Sequence, residues 1–454
     1  MQTKKLFFTI LLLLAILSMS VPVLAAQSDL GRDILPPNDG WASFGAGTTG
    51  GSQAVDSQVY VIANRAELIA ALNNGMPPST SPSNPSNEPK IIYVNGVIDM
   101  NVDDNNQPLT CEDYYRDGYT LEAFLAAYDP TVWGRVVPSG PLEAARLTSR
   151  AAQEARVRIR IGSNTTIVGM DKHATIRGGW FDIRGTASVN RTNIIIRNLI
   201  FEDSYDCFPQ WSPTDDALGS WNALYDAVSL RDSNHVWIDH NIFRDRTTAD
   251  DTLLNYFGVL FQAHDGLLDI TNGSNFVTVS WNRFENHDKV MLIGSSDSSS
   301  TANADRGKLN VTLHHNLFEN VGQRAARVRF GKVHIYNNFY KISNPENYVY
   351  TWGDGIESAV YAENNFFWVN PSIGILPDQF IERLNGTAIY ESGTMLHAPS
   401  QSGQHDISAL EAYNNATDPD LLDFVNWAPT LFVDFMETQD VRPAVESGAG
   451  TFNW

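Results

Sequence analysis

Three aspartates beside short apolar runs are the residues of this chain that first suggest chemistry. Asp226 precedes the run 227–228, and Asp265 and Asp269 flank the segment 266–268. Each position is typical of a residue on or beside a β-strand, so neighbouring strands could carry the three to one face. Three hard carboxylates without soft ligands suit Ca²⁺, completed by water and other oxygens. The alternative is ordinary solvated acids, because the chain has 52 Asp and Glu and no EF-hand spacing.

Four basic side chains form the second candidate group. Lys289 precedes the apolar run 290–293, and Arg324, Arg327 and Arg329 follow in a chain with only 31 Lys and Arg. On a strand, Arg327 and Arg329 would share one face, with Arg324 in the turn before it. Guanidinium groups match carboxylates in a two-point geometry. The alternative is a ladder of salt bridges with nearby Asp and Glu.

A repeated pattern indicates the elements that must position these residues. β-branched residues are followed by Asn and, two places later, by an aromatic residue. A looser copy contains Asn198, and successive Asn residues lie 43, 41, 34, 22 and 27 positions apart. The full copies contain Asn241 and Phe243, Asn282 and Phe284, Asn316 and Phe318, Asn338 and Tyr340, and Asn365 and Phe367.

A fixed local pattern with irregular spacing predicts an all-β solenoid, a right-handed parallel β-helix with peripheral loops and short helices. Each coil would contribute the same strand and turn, while loops of differing length leave elsewhere. We expect the Asn residues to adopt the left-handed turn conformation and to hydrogen-bond between coils. We expect the aromatic residues to stack inside the coils. A β-propeller is the alternative, but its repeats are more uniform, at about 40–50 residues.

Other segments predict structure around the solenoid. Helical patterns cover 65–72, 121–128 and 142–156, and a strand pattern covers 90–97. The two later helices fit an excursion on the outside or at one end. Cys111 and Cys207 could pair in an oxidising compartment, although the sequence does not place them within bridging distance. Two distant cysteines do not favour a structural zinc site.

The N-terminal segment is typical of a secretory signal. Lys4 and Lys5 precede an apolar run over 6–21, and small residues follow up to Ala26. We predict a signal peptide over 1–26 and a single domain over 27–454, secreted to the medium or, alternatively, the periplasm. An uncleaved membrane anchor is the other interpretation, but the run is short for a span of about 20 residues.

The charge of the chain restricts its partners. The formal net charge is −21, and loss of Lys4 and Lys5 with the signal would make it −23. Such a surface repels polyanions at long range, so we expect neither nucleic acid nor, after signal removal, membrane as a partner. A polyanionic substrate would require a local cationic site or a bridging metal. The mature chain is expected to be a monomer.

Several of these segments, in order, resemble the pectate lyase superfamily, specifically polysaccharide lyase family 1. Trp237-Ile238-Asp239-His240 resembles the hallmark motif of that family, and the segment 324–329 resembles its Arg-x-Pro-x-x-Arg motif. The likeness extends from about Gly40 through Phe367. Ala326 stands where the family usually has Pro, which would leave this turn less rigid.

The resemblance implies calcium-assisted β-elimination of α-1,4-linked polygalacturonate (pectate), which gives 4,5-unsaturated oligogalacturonides. Asp226, Asp265 and Asp269 would hold Ca²⁺ between enzyme and substrate carboxylates. Lys289 would bind the carboxylate next to the reacting carbon, where negative charge develops. Arg329 would fix a neighbouring carboxylate or the ring, and Arg324 would be the base.

An arginine base is unusual, because the pKa of a guanidinium ordinarily lies above about 12. Crowding by other cations disfavours the charged form, and an alkaline working pH would help. The alternative is that Arg324 positions a hydroxide ion. Asp239 and His240 could form an acid–base pair, but they occupy the repeated strand-to-turn position and are interpreted as structural.

Three other functions would fit the same scaffold. A polygalacturonase would need paired acids at a suitable separation and no metal. A pectin lyase acting on methylated polymer would replace the calcium carboxylates by other residues. A non-catalytic polysaccharide-binding β-helix would not need Lys289, Arg324 and Arg329. The three aspartates and the three cations together favour the pectate lyase.

Overall fold

Three β-sheets run along one solenoid in the computed structural model, and successive coils add strands to them in turn. The structure describes residues 29–75, 85–186, 189, 191–344, 348–397 and 403–454. The predicted signal peptide 1–26 lies outside these residues. Within the described part of the chain, no helix is long and apolar enough to span a membrane.

Each sheet takes its strands from successive coils, in chain order. The first sheet contains Val59–Ile62, Lys90–Val94, Thr165–Gly169, Arg191–Arg197, Ser233–Asp239, Asn275–Ser280, Val311–His314, Lys332–Tyr336, Ala359–Glu363 and Ile389–Ser392. The second sheet contains Arg158–Arg160, Trp180–Arg184, Val228–Arg231, Leu268–Thr271, Leu292–Ile293, Arg327–Val328, Trp352–Gly355 and Ile381–Leu384. The third sheet contains Val97–Asp99, Thr175–Arg177, Ile200–Glu202, Ile242–Arg244, Arg283–Lys289, Leu317–Gln323, Phe339–Ile342, Phe366–Val369, Met395–His397 and Gln404–Asp406.

Neighbouring coils pair in parallel, which confirms the β-helix and excludes the propeller. The strand Ser233–Asp239, for example, lies parallel to Arg191–Arg197 on one side and to Asn275–Ser280 on the other. Antiparallel pairing closes the third sheet at Gln404–Asp406. It also forms two small hairpins, Gln210–Ser212 with Ser220–Asn222 and Asn255–Tyr256 with Val259–Leu260.

The repeated Asn residues form a hydrogen-bonded ladder between the first and third sheets. Asn241 Nδ2 donates to Asn282 Oδ1 at 3.0 Å, and the same contact continues through Asn316, Asn338 and Asn365 at 2.9–3.3 Å. Each Oδ1 also accepts a backbone N–H from the preceding coil. This predicted ladder is confirmed, and it satisfies polar groups that are otherwise buried.

The predicted backbone conformation of these Asn residues is wrong. The left-handed residue is the one immediately before each ladder position, because that residue turns the chain while the Asn already faces the interior. Asn198 occupies this turn position rather than a ladder position. The left-handed turn residues are Asn198, His240, Trp281, His315, Asn337 and Asn364.

The repeated aromatic residues stack inside the coils as expected. Phe243, Phe284 and Phe318 follow one another with ring centroids 5.0 Å apart. Tyr340 and Phe367 continue the stack at 5.0 and 4.6 Å. The inward β-branched residues surround this column, so one apolar core extends along the solenoid. Every coil thus contributes a nearly identical layer to the core.

Helices cover the ends and sides of the solenoid. The predicted helices 65–72 and 121–128 are confirmed, and the helix predicted at 142–156 spans Pro141–Val157. The predicted strand 90–97 is instead two strands of different sheets, because Gly96 turns the chain at φ 79° between them. The helices are Arg65–Leu72, Leu121–Tyr128, Pro130–Trp133, Pro141–Val157, Ser299–Asp305, Ala409–Ala416 and Thr438–Gly448.

Cys111 and Cys207 form a disulfide bond. The bond joins the segment before the helices Leu121–Tyr128 and Pro141–Val157 to the loop that follows the third-sheet strand Ile200–Glu202. These helices and the loop share a separate small core with Phe208 and Trp211. The path of the chain therefore brings Cys111 and Cys207 within bridging distance, which the sequence could not show. The excursion that contains these helices lies on the outside of the coils.

The ladder gives a test of the fold. We expect Asn316→Ala to lower the free energy of unfolding by about 2–4 kcal/mol, because it removes the buried acceptor of Asn282 and a donor to Asn338. Thermal melts followed by circular dichroism would measure the change. The exposed Asn344→Ala is the control, and equal melting temperatures for the two variants would contradict this role of the ladder.

Candidate active site

The three predicted carboxylates meet at the N-terminal ends of neighbouring second-sheet strands. Asp226 precedes Val228–Arg231, and Asp265 and Asp269 lie before and within Leu268–Thr271. These strands are adjacent and parallel, with Val228 opposite Leu268. Asp226 is buried, and its Oδ1 accepts a hydrogen bond from the Gly266 N–H at 3.0 Å. The structure thus brings the aspartates together as the sequence predicted.

Gly266 lies between two of the carboxylates. A Cβ built on Gly266 would lie 2.8 Å from Asp269 Oδ1 and 3.0 Å from Asp226 Oδ1. The carboxylates therefore converge on a space that a methyl group would fill. The reason for glycine at this position is the close approach of its neighbours. Backbone strain is not the reason, because the φ of Gly266 is outside the left-handed region.

Burial and neighbouring carboxylates raise the pKa of Asp226 and of Asp269. Burial raises the pKa of Asp226 well above its usual range, and the charges of Asp269 and Asp265 raise it further. Burial and the charge of Asp265 raise the pKa of Asp269 to about 7, although Arg324 acts in the opposite direction. A cation at this position would relieve that repulsion.

The carboxylates do not by themselves complete a metal shell. Among the described residues, no three His, Cys, Asp or Glu side chains have the geometry to enclose a metal ion. Asp226 uses one oxygen for the Gly266 N–H and the other for the Ser229 hydroxyl. A hard cation held between these carboxylates would need water or ligand oxygens in addition, which is normal for Ca²⁺.

Lys289 lies one coil beyond Gly266. It ends the third-sheet strand Arg283–Lys289, and its backbone forms a parallel bridge to Gly266. The side chain is half-buried. It forms no ion pair within the described part of the chain. The ammonium group is therefore available to an anionic ligand beside the carboxylates.

Arg324 follows the next third-sheet strand, Leu317–Gln323, and adopts the left-handed conformation with φ 63°. Its Nε is buried without a hydrogen-bond partner, and its charge reaches Asp269. The prediction that Arg324 lies in the turn before the Arg327 strand is confirmed. The peptide bond that follows, between the buried residues Ala325 and Ala326, is cis.

Arg327 and Arg329 point outward on either side of the core residue Val328, as expected for alternation along a strand. Their surroundings differ. Arg329 donates to Asp297 Oδ1 at 2.5 Å and to the Gly294 carbonyl at 2.9 Å. Arg329 therefore has an internal ion pair, and its side chain is only 9% exposed.

Arg327 is a cation to which the sequence reasoning assigned no role. Its Nε is buried and unpartnered, and no ion pair holds its guanidinium within the described residues. Burial lowers its pKa, and the neighbouring charges of Arg329 and Arg324 lower it further. The sequence alternation predicted that Arg327 and Arg329 share the outer face. Only the structure shows that Arg329 pairs with Asp297 while Arg327 has no ion-pair partner among the described residues.

His287 supports the backbone of the carboxylate site at Asp265. Its Nε2 donates to the Asp265 carbonyl at 2.8 Å, and its Nδ1 donates to Asp245 at 2.6 Å. Burial lowers the pKa of His287, but Asp245 outweighs this and raises it to about 9. Both ring nitrogens therefore carry protons near neutral pH. The sequence contained no periodic signal for this contact, which joins residues 22 positions apart.

Asp239 and His240 are structural, as interpreted from their position. They lie on the first sheet, whereas Asp226, Asp269 and Arg327 lie on or beside the second. Asp239 binds His240 Nδ1 at 2.8 Å and Arg197 at 2.9 Å. Burial raises the pKa of Asp239, but His240 and Arg197 outweigh this and hold it at about 2.

Comparison with known proteins agrees with this arrangement. The family model described as pectate lyase matches residues 136–450. The chain belongs to the pectate lyase family. A pectate lyase from Bacillus subtilis (strain 168) is 42% identical over 95% of this chain and 96% of its own length. Pectate lyase E from Dickeya dadantii (strain 3937) is 34% identical over 80% of this chain and 76% of its own length.

Solved structures of pectate lyases share the fold. A thermostable pectate lyase superposes with a TM-score of 0.88 at 45% identity, covering 94% of this chain and all of that one. A pectate lyase bound to a hexasaccharide superposes with a TM-score of 0.83 at 42% identity, covering 93% of this chain and 99% of that one. The pectate lyase activity and the β-helix predicted from the sequence are both supported.

The space at Gly266 gives a test of the site. Gly266→Ala should fold, because its backbone conformation suits alanine, but its Cβ would push the Asp226 and Asp269 carboxylates apart. We expect pectate lyase activity to fall about 10²-fold, the size of effect that a displacement of about 1 Å can have. Steady-state kinetics would measure it, with the melting temperature as the check on folding. Activity within twofold of the parent would contradict the convergence of the carboxylates at Gly266.

Proposed function

We propose that this chain is a secreted, calcium-dependent pectate lyase that cleaves α-1,4-polygalacturonate by β-elimination. The products would be 4,5-unsaturated oligogalacturonides. The observation that carries the proposal is the convergence of Asp226, Asp265 and Asp269 beside Lys289 and Arg324, two cations without ion-pair partners among the described residues. A signal over 1–26 would direct the chain out of the cell.

The aspartates would hold Ca²⁺ together with substrate carboxylates and water. When bound, Ca²⁺ would supply positive charge to the carboxylate next to the reacting carbon. Repulsion between the buried Asp226 and the partly exposed Asp265 and Asp269 supports this assignment, since it leaves the metal-free site short of positive charge. Release of that repulsion would contribute to metal affinity.

The side chains of this chain would carry the elimination. Arg324 in its neutral form would take the C5 proton and become the guanidinium cation, and the electron pair of that C–H bond would form the C4–C5 double bond. The C4–O bond to the leaving saccharide would break, and the leaving oxygen would take a proton from water. Lys289 would stabilise the negative charge that develops on the C6 carboxylate before this bond breaks.

Arg327 and Arg329 would divide the binding of the polymer. Arg327, which lacks an ion-pair partner in the described chain, would receive a substrate carboxylate in a two-point contact. Arg329 would contact a neighbouring carboxylate or ring, and its bonds to Asp297 and Gly294 would keep it in place. This cationic group explains how a chain of net charge −21 could bind an acidic polymer.

The other candidate functions are less well supported. A polygalacturonase would act through paired acids, whereas Lys289 and Arg324 accompany the carboxylates here and the matching family model is described as pectate lyase. A pectin lyase would have no use for three mutually repelling carboxylates that favour a cation. We also propose that the chain is secreted and monomeric.

Calcium dependence has a direct test. We expect ultraviolet-absorbing unsaturated product from polygalacturonate with Ca²⁺ and none after a chelator is added. Asp269→Asn should weaken Ca²⁺ binding in isothermal titration calorimetry, because it removes one of the converging charges, while the exposed Asp56→Asn should not. Chain shortening without unsaturated product would instead indicate a hydrolase.

The role of Arg324 has a separate test. We expect Arg324→Lys to reduce kcat by about 10²–10⁴-fold, the usual contribution of a positioned acid or base, with little change in Ca²⁺ binding. Arg442→Lys, on the outer helix Thr438–Gly448, is the matched control. Full activity of Arg324→Lys would remove the base assignment while leaving the other assignments in place.

A further inference from the structure

A second cationic cluster lies on the outer face of the second sheet, on coils that precede the candidate active site. Its members alternate with core residues such as Ile159, Ile183 and Leu230, so their side chains share the outer face. The Arg158 guanidinium also lies 5.5 Å from the centre of the Trp180 ring, and that of Arg231 lies 5.8 Å from it. The cluster consists of Arg158, Arg160, Arg184 and Arg231.

The cluster has too few counterions to be a structural ion-pair network. Asp182 is fully buried and lies 3.3–3.7 Å from the Nε atoms of the three nearest arginines. Its oxygens accept no hydrogen bond from them. Glu154 pairs with Arg158 alone. Among the described residues, four positive charges therefore face two negative ones.

The guanidinium groups are not saturated by hydrogen bonds within the described chain. The Nε atoms of Arg160 and Arg184 face Asp182 at 3.3 and 3.4 Å without a hydrogen bond, and the Nε atom of Arg231 is buried without a partner. Burial lowers the pKa of Arg160, and the charges of Arg184 and Arg231 lower it further, against the opposing effect of Asp182. The side chains of Arg160 and Arg184 are 16% and 30% exposed, so an anion from solvent can reach them.

The cluster is continuous with the candidate active site. Arg160 pairs with Asp182, Asp182 with Ser229, and Ser229 with Asp269 along one row of the second sheet. Three strand spacings place Arg160 roughly 14 Å from Asp269 along the solenoid. Arg231 connects the two regions, because its charge reaches both Asp269 and Arg160.

We propose that Arg158, Arg160, Arg184 and Arg231 form an additional binding region for unesterified carboxylates of the substrate polymer. It rests on the proposed function, since it extends the same surface toward the N-terminal coils. Guanidinium groups bind carboxylates through two parallel hydrogen bonds, which suits a row of galacturonate units. Only a chain of several saccharide units reaches from the reacting bond to this region, so the cluster favours long substrates.

The test compares substrates of increasing length in the full chain. Arg160→Gln/Arg184→Gln is expected to raise KM for polygalacturonate about tenfold to a hundredfold, the loss expected for one charged hydrogen bond. The kcat should change less than twofold, and kinetics on the shortest cleaved oligogalacturonate should match those of the parent. The KM of the parent should also rise more steeply with salt than that of the variant.

The control removes the same charge elsewhere. Lys172→Gln/Arg442→Gln loses two positive charges away from the second sheet and is expected to leave KM unchanged at every substrate length. If the double variant around Asp182 does not fold, the single Arg184→Gln, with its partly exposed side chain, replaces it. Circular dichroism and the melting temperature establish folding.

The outcomes separate this proposal from the function on which it rests. A length-dependent rise in KM supports the additional binding region. A KM for the polymer that equals that of the control, or an equal rise for all substrate lengths, overturns it while pectate cleavage continues. Absence of unsaturated product from every substrate in the parent chain would instead overturn the proposed function.

Discussion

Parallel stacking of coils is the constraint on which the rest of the structure depends. Each coil places its Asn and its aromatic residue directly over those of the coil before, at hydrogen-bonding distance and at about 5 Å between ring centres. This repetition fixes the register of the three sheets along the solenoid, because a shift of one residue would bring charged residues into the core. Residues far apart in the chain thereby occupy one straight row on the outer surface.

The residues of the candidate active site lie along that row. Asp226, Gly266 and Lys289 come from successive coils and meet because their strands are in register. The sheet itself supplies the rigid support, so few additional contacts are needed to hold these side chains. His287 is one such contact, since it ties the backbone at Asp265 to the buried Asp245. The chemistry therefore depends on regular backbone geometry rather than on a flexible loop.

Charge is distributed along the second sheet in a way that the overall composition conceals. The chain is strongly acidic, yet Lys289, Arg324 and Arg327 lie together without ion-pair partners in the described structure, and more arginines extend along the same face. Asp226 beside them is buried, and the charges of Asp269 and Asp265 repel its own, which favours a cation between protein and polymer. Attraction of an acidic polymer would thus be local, while repulsion elsewhere would keep it from the remaining surface.

The sequence was informative wherever a residue's role depends on local periodicity. The stacked Asn and Phe residues, the helices Arg65–Leu72 and Leu121–Tyr128, and the alternation of Arg327 with Arg329 could all be predicted, because each follows from a local pattern of a few neighbouring residues. The conformation of the ladder Asn residues was predicted wrongly, since the pattern does not show which of two adjacent residues turns the chain.

By itself, then, the sequence determined the stacked β-architecture, the candidate carboxylates and cations, and the resemblance to pectate lyases. The tertiary structure decided that Cys111 and Cys207 pair, that Arg329 is held by Asp297 while Arg327 is not, and that Gly266 lies between two carboxylates. These contacts join residues from different coils and loops. Whether such residues come into contact depends on the lengths of the intervening loops and on which acidic side chain lies closest to each cation. Neither can be deduced from a local sequence pattern.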